Sequence, residues 1–184
     1  MKCKVFLVFL SVLMVFAVSC SNSESGKPVR NETAVNKIIQ QDDGTISLDI
    51  RKASCYNNSS DPSSNTAEWS FVVSKAGRYN VWLSSATTDT LNLNYNTSVK
   101  ITLLDERLEV KPVGDKIVLD TRDVRRPYFR ADSYMGTFYI KDPGEYIIQL
   151  ISEKVIPEAM ATEDEKGSSS STKLMSVFLT PMTR

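Results

Sequence analysis

From Thr45 onward the chain alternates apolar and polar residues in short runs, each closed by Gly, Pro, Asn, Asp or Ser. A period of two is the mark of strands with one face in a core. Nine runs qualify: Thr45–Lys52, Glu68–Ser74, Arg78–Ser85, Ser98–Leu104, Leu108–Pro112, Lys116–Asp120, Tyr134–Lys141, Glu145–Ser152 and Lys173–Thr180. No segment carries the apolar spacing of a convincing amphipathic helix. The pattern therefore predicts an all-β domain, a β-sandwich or jelly roll.

The phase of several runs is legible. Trp69, Phe71 and Val73 share one face, as do Tyr79, Val81 and Leu83, with Lys75-Ala76-Gly77 as the turn between them. Phe138 and Ile140 alternate with Tyr139 and Lys141, and Asp142-Pro143-Gly144 leads into Tyr146, Ile148 and Leu150. Both units read as hairpins. Two stretches do not read as strands: an arginine- and aromatic-rich loop over 121–133, and a polar segment over 153–172, too long for an idle connection.

The N-terminal segment has a different pattern. Lys2 and Lys4 precede an apolar run from Val5 to Val18 broken only by Ser11, too short to span a bilayer and matched to the apolar region of an export signal. Its end, Ala17-Val18-Ser19-Cys20, resembles the bacterial lipoprotein lipobox, in which the cysteine is lipidated and becomes the new N-terminus. That resemblance implies a signal peptide over 1–19, a lipid on Cys20 and a membrane anchor without a spanning helix. The expected location is the bacterial cell envelope, at the outer membrane or cell surface. The polar stretch that follows reads as a flexible tether over 20–43, leaving 44–184 for the sandwich.

Composition narrows the chemistry. The 184 residues balance 22 Lys+Arg against 22 Asp+Glu and contain no histidine. Loss of the signal would remove two lysines and leave 20 basic against 22 acidic residues, a charge that gives no footprint for nucleic acid. Without histidine, Ser-His-Asp and Cys-His nucleophile pairs and the HExxH zinc site are all excluded. Of three cysteines, Cys3 leaves with the signal and Cys20 accepts lipid, so Cys55 stands alone and reads as a plain buried thiol.

The run from Trp69 to Leu83, W-S-F-V-V-S-K-A-G-R-Y-N-V-W-L, resembles a hairpin of galactose-binding-like sandwiches, above all carbohydrate-binding modules of families 6 and 35. Gly136 to Leu150 is similar to their penultimate hairpin, and Lys173 to Pro181 to their last strand. The resemblance implies a jelly roll that binds glycans non-covalently and carries no catalytic residue. Such modules often hold calcium between an acid on the first strand and an Asp on the last. Here Asp49 meets Met175 at the second position, so no metal or cofactor is expected.

Glycan recognition needs a flat aromatic for the apolar face of a pyranose and rigid donors for its hydroxyls. The 121–134 region supplies both, with Tyr128, Phe129 and Tyr134 among Arg122, Arg125, Arg126 and Arg130, and those arginines favour an acid-bearing sugar. Alternatively, Asp120, Asp123 and Asp132 neutralise the arginines at the surface. Trp82 is a further candidate platform, because alternation sets it between Asn80 and Ser84, whereas Trp69 follows the core phase. Tyr56-Asn57-Asn58 is the weakest candidate. The carboxylates Asp105-Glu106 and Glu163-Asp164-Glu165 sit in polar surroundings that do not raise an acid's pKa, against a carboxylate hydrolase. A lipoprotein that uses the sandwich to bind a protein partner is the alternative from another class.

Overall fold

Among the described residues there are eleven strands: β1 (Ile38–Ile39), β2 (Ile46–Asp49), β3 (Ser54–Tyr56), β4 (Thr66–Val73), β5 (Gly77–Thr87), β6 (Val99–Leu103), β7 (Glu106–Val110), β8 (Lys116–Val118), β9 (Phe129–Ile140), β10 (Gly144–Ile151) and β11 (Thr172–Pro181). They belong to a computed structural model that describes residues 37–119, 121–156 and 172–182. The expected signal, Cys20, the tether as far as residue 36, Asp120 and residues 157–171, among them Glu163, Asp164 and Glu165, lie outside the described residues.

Two sheets form a β-sandwich. The first runs β1-β4-β10-β6-β7, with β3 also on β4, and the second runs β2-β11-β5-β9-β8. Every pairing is antiparallel except β1 on β4. Alternation places Trp69, Phe71, Val73, Ile148 and Leu150 of the first sheet in the core, with Tyr79, Val81, Leu83, Phe138, Ile140, Val177 and Leu179 of the second. The Trp69 indole N–H donates to the Asp49 carbonyl at 2.7 Å, so the ring is structural. Among the described residues no helix is long and apolar enough to cross a membrane.

Four expectations are corrected. The first strand stops at Asp49, because its side chain accepts from the Arg51 amide and caps a 3-10 turn over Ile50–Lys52. The two expected hairpins are arches: β4 and β5 lie in different sheets, as do β9 and β10, while β4 pairs with β10 and β5 with β9. Alternation fixes which face of a strand is buried but not which strand lies beside it. Phe129 to Ser133, expected in a loop, begins β9; Ala131, Asp132 and Ser133 are buried there, and the loop proper ends at Tyr128.

Finally, the sandwich starts before residue 44. Ile38 and Ile39 pair with Phe71 and Val72, and Gln40 is buried with its amide fully engaged. The Gln40 Nε2 donates to the Gly44 carbonyl and the Tyr79 hydroxyl, both at 2.7 Å, and Oε1 accepts from the Ser74 amide and hydroxyl and from the Lys75 amide. The chain thus enters the fold beside the β4–β5 turn.

Candidate functional site

The outward face of the second sheet collects what the core excludes. On β5 the core takes Tyr79, Val81 and Leu83, which turns Asn80 and Trp82 outward; on β11 it takes Val177 and Leu179, which turns Ser176, Phe178 and Thr180 outward. The registers set Phe178 opposite Trp82, and Trp82 opposite Tyr134 of β9. Three rings thus lie side by side across β11, β5 and β9. Phe178 and Trp82 are 6.4 Å apart and near parallel at 9°, and Trp82 and Tyr134 are 5.2 Å apart at 60°. Tyr134 remains 42% exposed.

Two β-bulges aim these side chains. On β9 the register shifts at Met135, and on β11 at Met175. Each adds one residue, so a strand that would otherwise turn its polar positions inward keeps them on the outer face. Gly136, at φ +127°, makes the first shift possible: a Cβ there would sit 2.9 Å from Leu108 Cδ2.

Beside the rings is a concavity of about 420 Å³ lined by Gln41, Thr45, Ser47, Asp49, Arg51, Ser84, Asp123, Arg130, Met175, Ser176, Phe178 and Thr180. Arg130 organises it. Its guanidinium donates from Nε and Nη2 to the two Asp132 oxygens, at 2.8 and 3.1 Å, and from Nη1 to Asp123 at 2.9 Å, and it lies 5.2 Å from the Phe178 ring centroid. Burial works against the Arg130 charge, but the bonds to Asp132 and Asp123 outweigh it and hold the guanidinium above its ordinary range. Across the concavity Arg51 donates from Nε to Asp49 at 3.0 Å, and this bond above all holds the Asp49 carboxyl below the usual carboxylate range. At the floor, Ser84 is 1% exposed and its Oγ is the one buried side-chain polar atom among the described residues without a hydrogen-bond partner.

A second concavity of about 400 Å³ adjoins the first. Asp49, Arg51, Asp123 and Met175 line both, and Ile50, Ala86, Val124, Arg125, Tyr128, Lys173 and Leu174 complete it. The Lys173 Nζ lies 5.3 Å from the Tyr128 ring centroid. Among the described residues neither Lys173 nor Arg125 shares an ion pair with a carboxylate.

The expected site residues separate accordingly. Arg130 lines the first concavity, with Trp82 and Tyr134 in the adjacent ring row, and Arg125 and Tyr128 line the second. Phe129 is half-buried opposite Thr87 and lines neither; Arg126 is exposed before the cis Pro127 and also lines neither. Tyr56 is on β3 in the other sheet, well apart in the topology. Asp105 and Glu106 are exposed, and among the described residues no group of three His, Cys, Asp or Glu is placed to hold a metal. Cys55 is half-buried, and burial pushes its thiol up.

Phe178, Lys173, Arg51 and Ser84 were not read as site residues. A signal for Phe178 exists: Leu174, Val177 and Leu179 are spaced three and then two apart, which announces a bulge and puts Phe178 outside. Arg51 gave no signal, since the 3-10 turn that presents it was expected to be strand.

No protein-family model matches the chain, and no curated protein matches it by sequence. Among solved structures it is similar to an α-L-fucosidase from Vibrio sp. strain EJY3, with a TM-score of 0.61 and 22% identity over 79% of this chain and 24% of that one. It is also matched to a GH26-CBM35 β-(1,4)-mannanase of Podospora anserina, at 0.47 and 12% over 77% and 28%. A third match is the insecticidal crystal protein Cry2Aa, at 0.46 and 10% over 78% and 22%. The chain spans about a quarter of the length of these proteins. The likeness to the fucosidase shows a shared β-sandwich fold.

Proposed function

We propose that this protein is an exported, lipid-anchored module that binds a glycan without cutting it, on the outer face of the second sheet, and that the glycan bears acid groups. The observation that carries the reading is the row Phe178–Trp82–Tyr134 continuing into a groove of arginine and hydroxyl donors. Rings supply apolar stacking area, and guanidinium and hydroxyl groups fix a sugar's polar edge. The buried Ser84 Oγ supports a ligand rich in hydroxyls, because a hydrogen-bond partner there repays a desolvation cost already met in folding.

Binding without hydrolysis is supported by the state of the groove's carboxylates. Asp49 is held ionised by Arg51, and Asp123 is paired with Arg130, whereas a glycosidase needs one acid kept protonated near neutrality. The export and lipid anchor rest on the lipobox resemblance at Ala17–Cys20. The protein-partner reading has less support. Ile39 and Ile147, exposed on the first sheet, are framed by the Lys37–Glu145 ion pair and the Glu68–Gln149 hydrogen bond.

A glycan array of neutral and acidic polysaccharides, probed with the full chain, tests the function. Saturable binding that falls about tenfold or more in Phe178→Ala supports it. No binding by protein with intact β-sheet circular dichroism overturns it. Labelling with radioactive palmitate in a bacterial host tests the anchor, with Cys20→Ser expected to lose the label.

A further inference from the structure

The two concavities differ in chemistry, and the difference specifies the ligand. In the first, each cation is matched within the protein: the fork of Arg130 closes on Asp132, its remaining Nη1 bond goes to Asp123, and Arg51 lies on Asp49. What remains for a ligand is the part of the Phe178 ring that Arg130 does not cover, the side chains of Ser47, Ser176, Thr180 and Ser84, and the spare N–H groups of Arg130. A carboxylate placed there finds no cation that is not already paired, and the repulsion of Asp49 and Asp123, which line both concavities, is offset only where further cations are present. In the second, Arg125 and Lys173 flank Tyr128 without a paired carboxylate among the described residues, so an anion gains two cations at no expense to an internal pair.

The concavities are also consecutive along one axis. They share Asp49, Arg51, Asp123 and Met175, and β11 runs beneath both from Thr180 to Lys173. Seven residue steps at about 3.3 Å each give roughly 23 Å, too long for one sugar ring.

Resting on the glycan reading above, we propose that the concavities are neighbouring subsites for a linear glycan in which a neutral sugar adjoins an acid-bearing one. The neutral ring lies on Phe178 with a hydroxyl at Ser84 Oγ, and the carboxylate or sulfate of the next residue lies between Arg125 and Lys173. A polymer of acid residues alone would place a carboxylate in the first concavity, where both cations are already paired. A wholly neutral chain would leave Arg125 and Lys173 unused.

Calorimetry with the full chain separates these cases. The probes are three tetrasaccharides: hyaluronan, which alternates N-acetylglucosamine with glucuronate; oligogalacturonate, acidic throughout; and cellotetraose, neutral throughout. Hyaluronan tetrasaccharide is expected to bind about tenfold tighter than either of the others. The double variant Arg125→Gln/Lys173→Gln is expected to bring it down to the level of cellotetraose. Lys100→Gln, on the opposite sheet, serves as a control for loss of a cation elsewhere and should change nothing. Equal binding of cellotetraose, or tightest binding of oligogalacturonate, overturns the inference, as does an array whose hits lack the alternation, and these leave the glycan reading standing. Silence with all three probes and on the array removes the glycan reading itself.

Discussion

Ser84 is held in the groove at the expense of the fold, whereas Arg130 supports the fold as well. A buried hydroxyl without a partner costs about 1–3 kcal/mol of desolvation, so Ser84→Ala is expected to leave the denaturation midpoint unchanged or raise it while weakening glycan binding several-fold. A fall in both would make Ser84 merely structural. Arg130 is expected to behave oppositely. Its removal strands Asp132, whose side chain is 4% exposed, beside Asp123, so Arg130→Ala should cost about 3 kcal/mol or more in urea unfolding as well as binding. At this scale the sequence was partly legible. Trp82 could be read as outward from Asn80 and Ser84, and Arg130 stood out by composition. Which of the arginines lies over a ring was not readable, because Phe178 is 48 residues away and meets Arg130 only through sheet pairing.

The elements bring these residues together through two irregularities, an arch and a bulge. An arch differs from a hairpin in sending the next strand to the opposite sheet, and the three residues Ser74 to Ala76 do this between β4 and β5. The period-two pattern of Trp69–Val73 and Tyr79–Leu83 is the same in either case, which is why the strands could be read and their neighbours could not. The bulge at Met135 depends on Gly136. Gly136→Ala both strains a backbone at φ +127° and drives a Cβ into Leu108, so a loss of about 1–3 kcal/mol is expected, read as a lower urea midpoint. The Gln40 amide bolts the entering chain to the β4–β5 turn with five hydrogen bonds. Gln40→Ala should cost about 1–3 kcal/mol by the same measurement, and a chain starting at residue 44 should lose as much or more. Lys37 to Asp43 was read as tether because its polar composition masks this one buried amide and two-residue strand.

At the scale of the whole molecule, β1 joins the first sheet beside the β4–β5 turn, and the ring row lies on the outer face of the second. With no histidine in the sequence, binding of an acidic glycan should be flat from about pH 5 to 9. Stability should fall at the acid end, and again in alkali, where the unfolded chain ionises the Cys55 thiol that burial holds up in the fold. Arg51 holds the Asp49 carboxyl low, and Glu153 is held low, against the effect of its burial, by bonds from Thr97 Oγ1 at 2.6 Å and the Asn96 amide at 2.7 Å. Folded-state values below the unfolded ones mean that this stabilisation is complete above roughly pH 5 and is lost as pH falls through about 4 and below. Only two tryptophans are present, Trp69 sealed in the core and Trp82 in the ring row, so fluorescence reports the groove directly. The decisive measurement is a titration of tryptophan emission in the full chain with hyaluronan tetrasaccharide and with the glycans positive on the array. A saturable change that disappears in Trp82→Phe is expected, and emission that stays constant for every neutral and acidic glycan, in protein with an intact sandwich, would contradict a glycan site on this face.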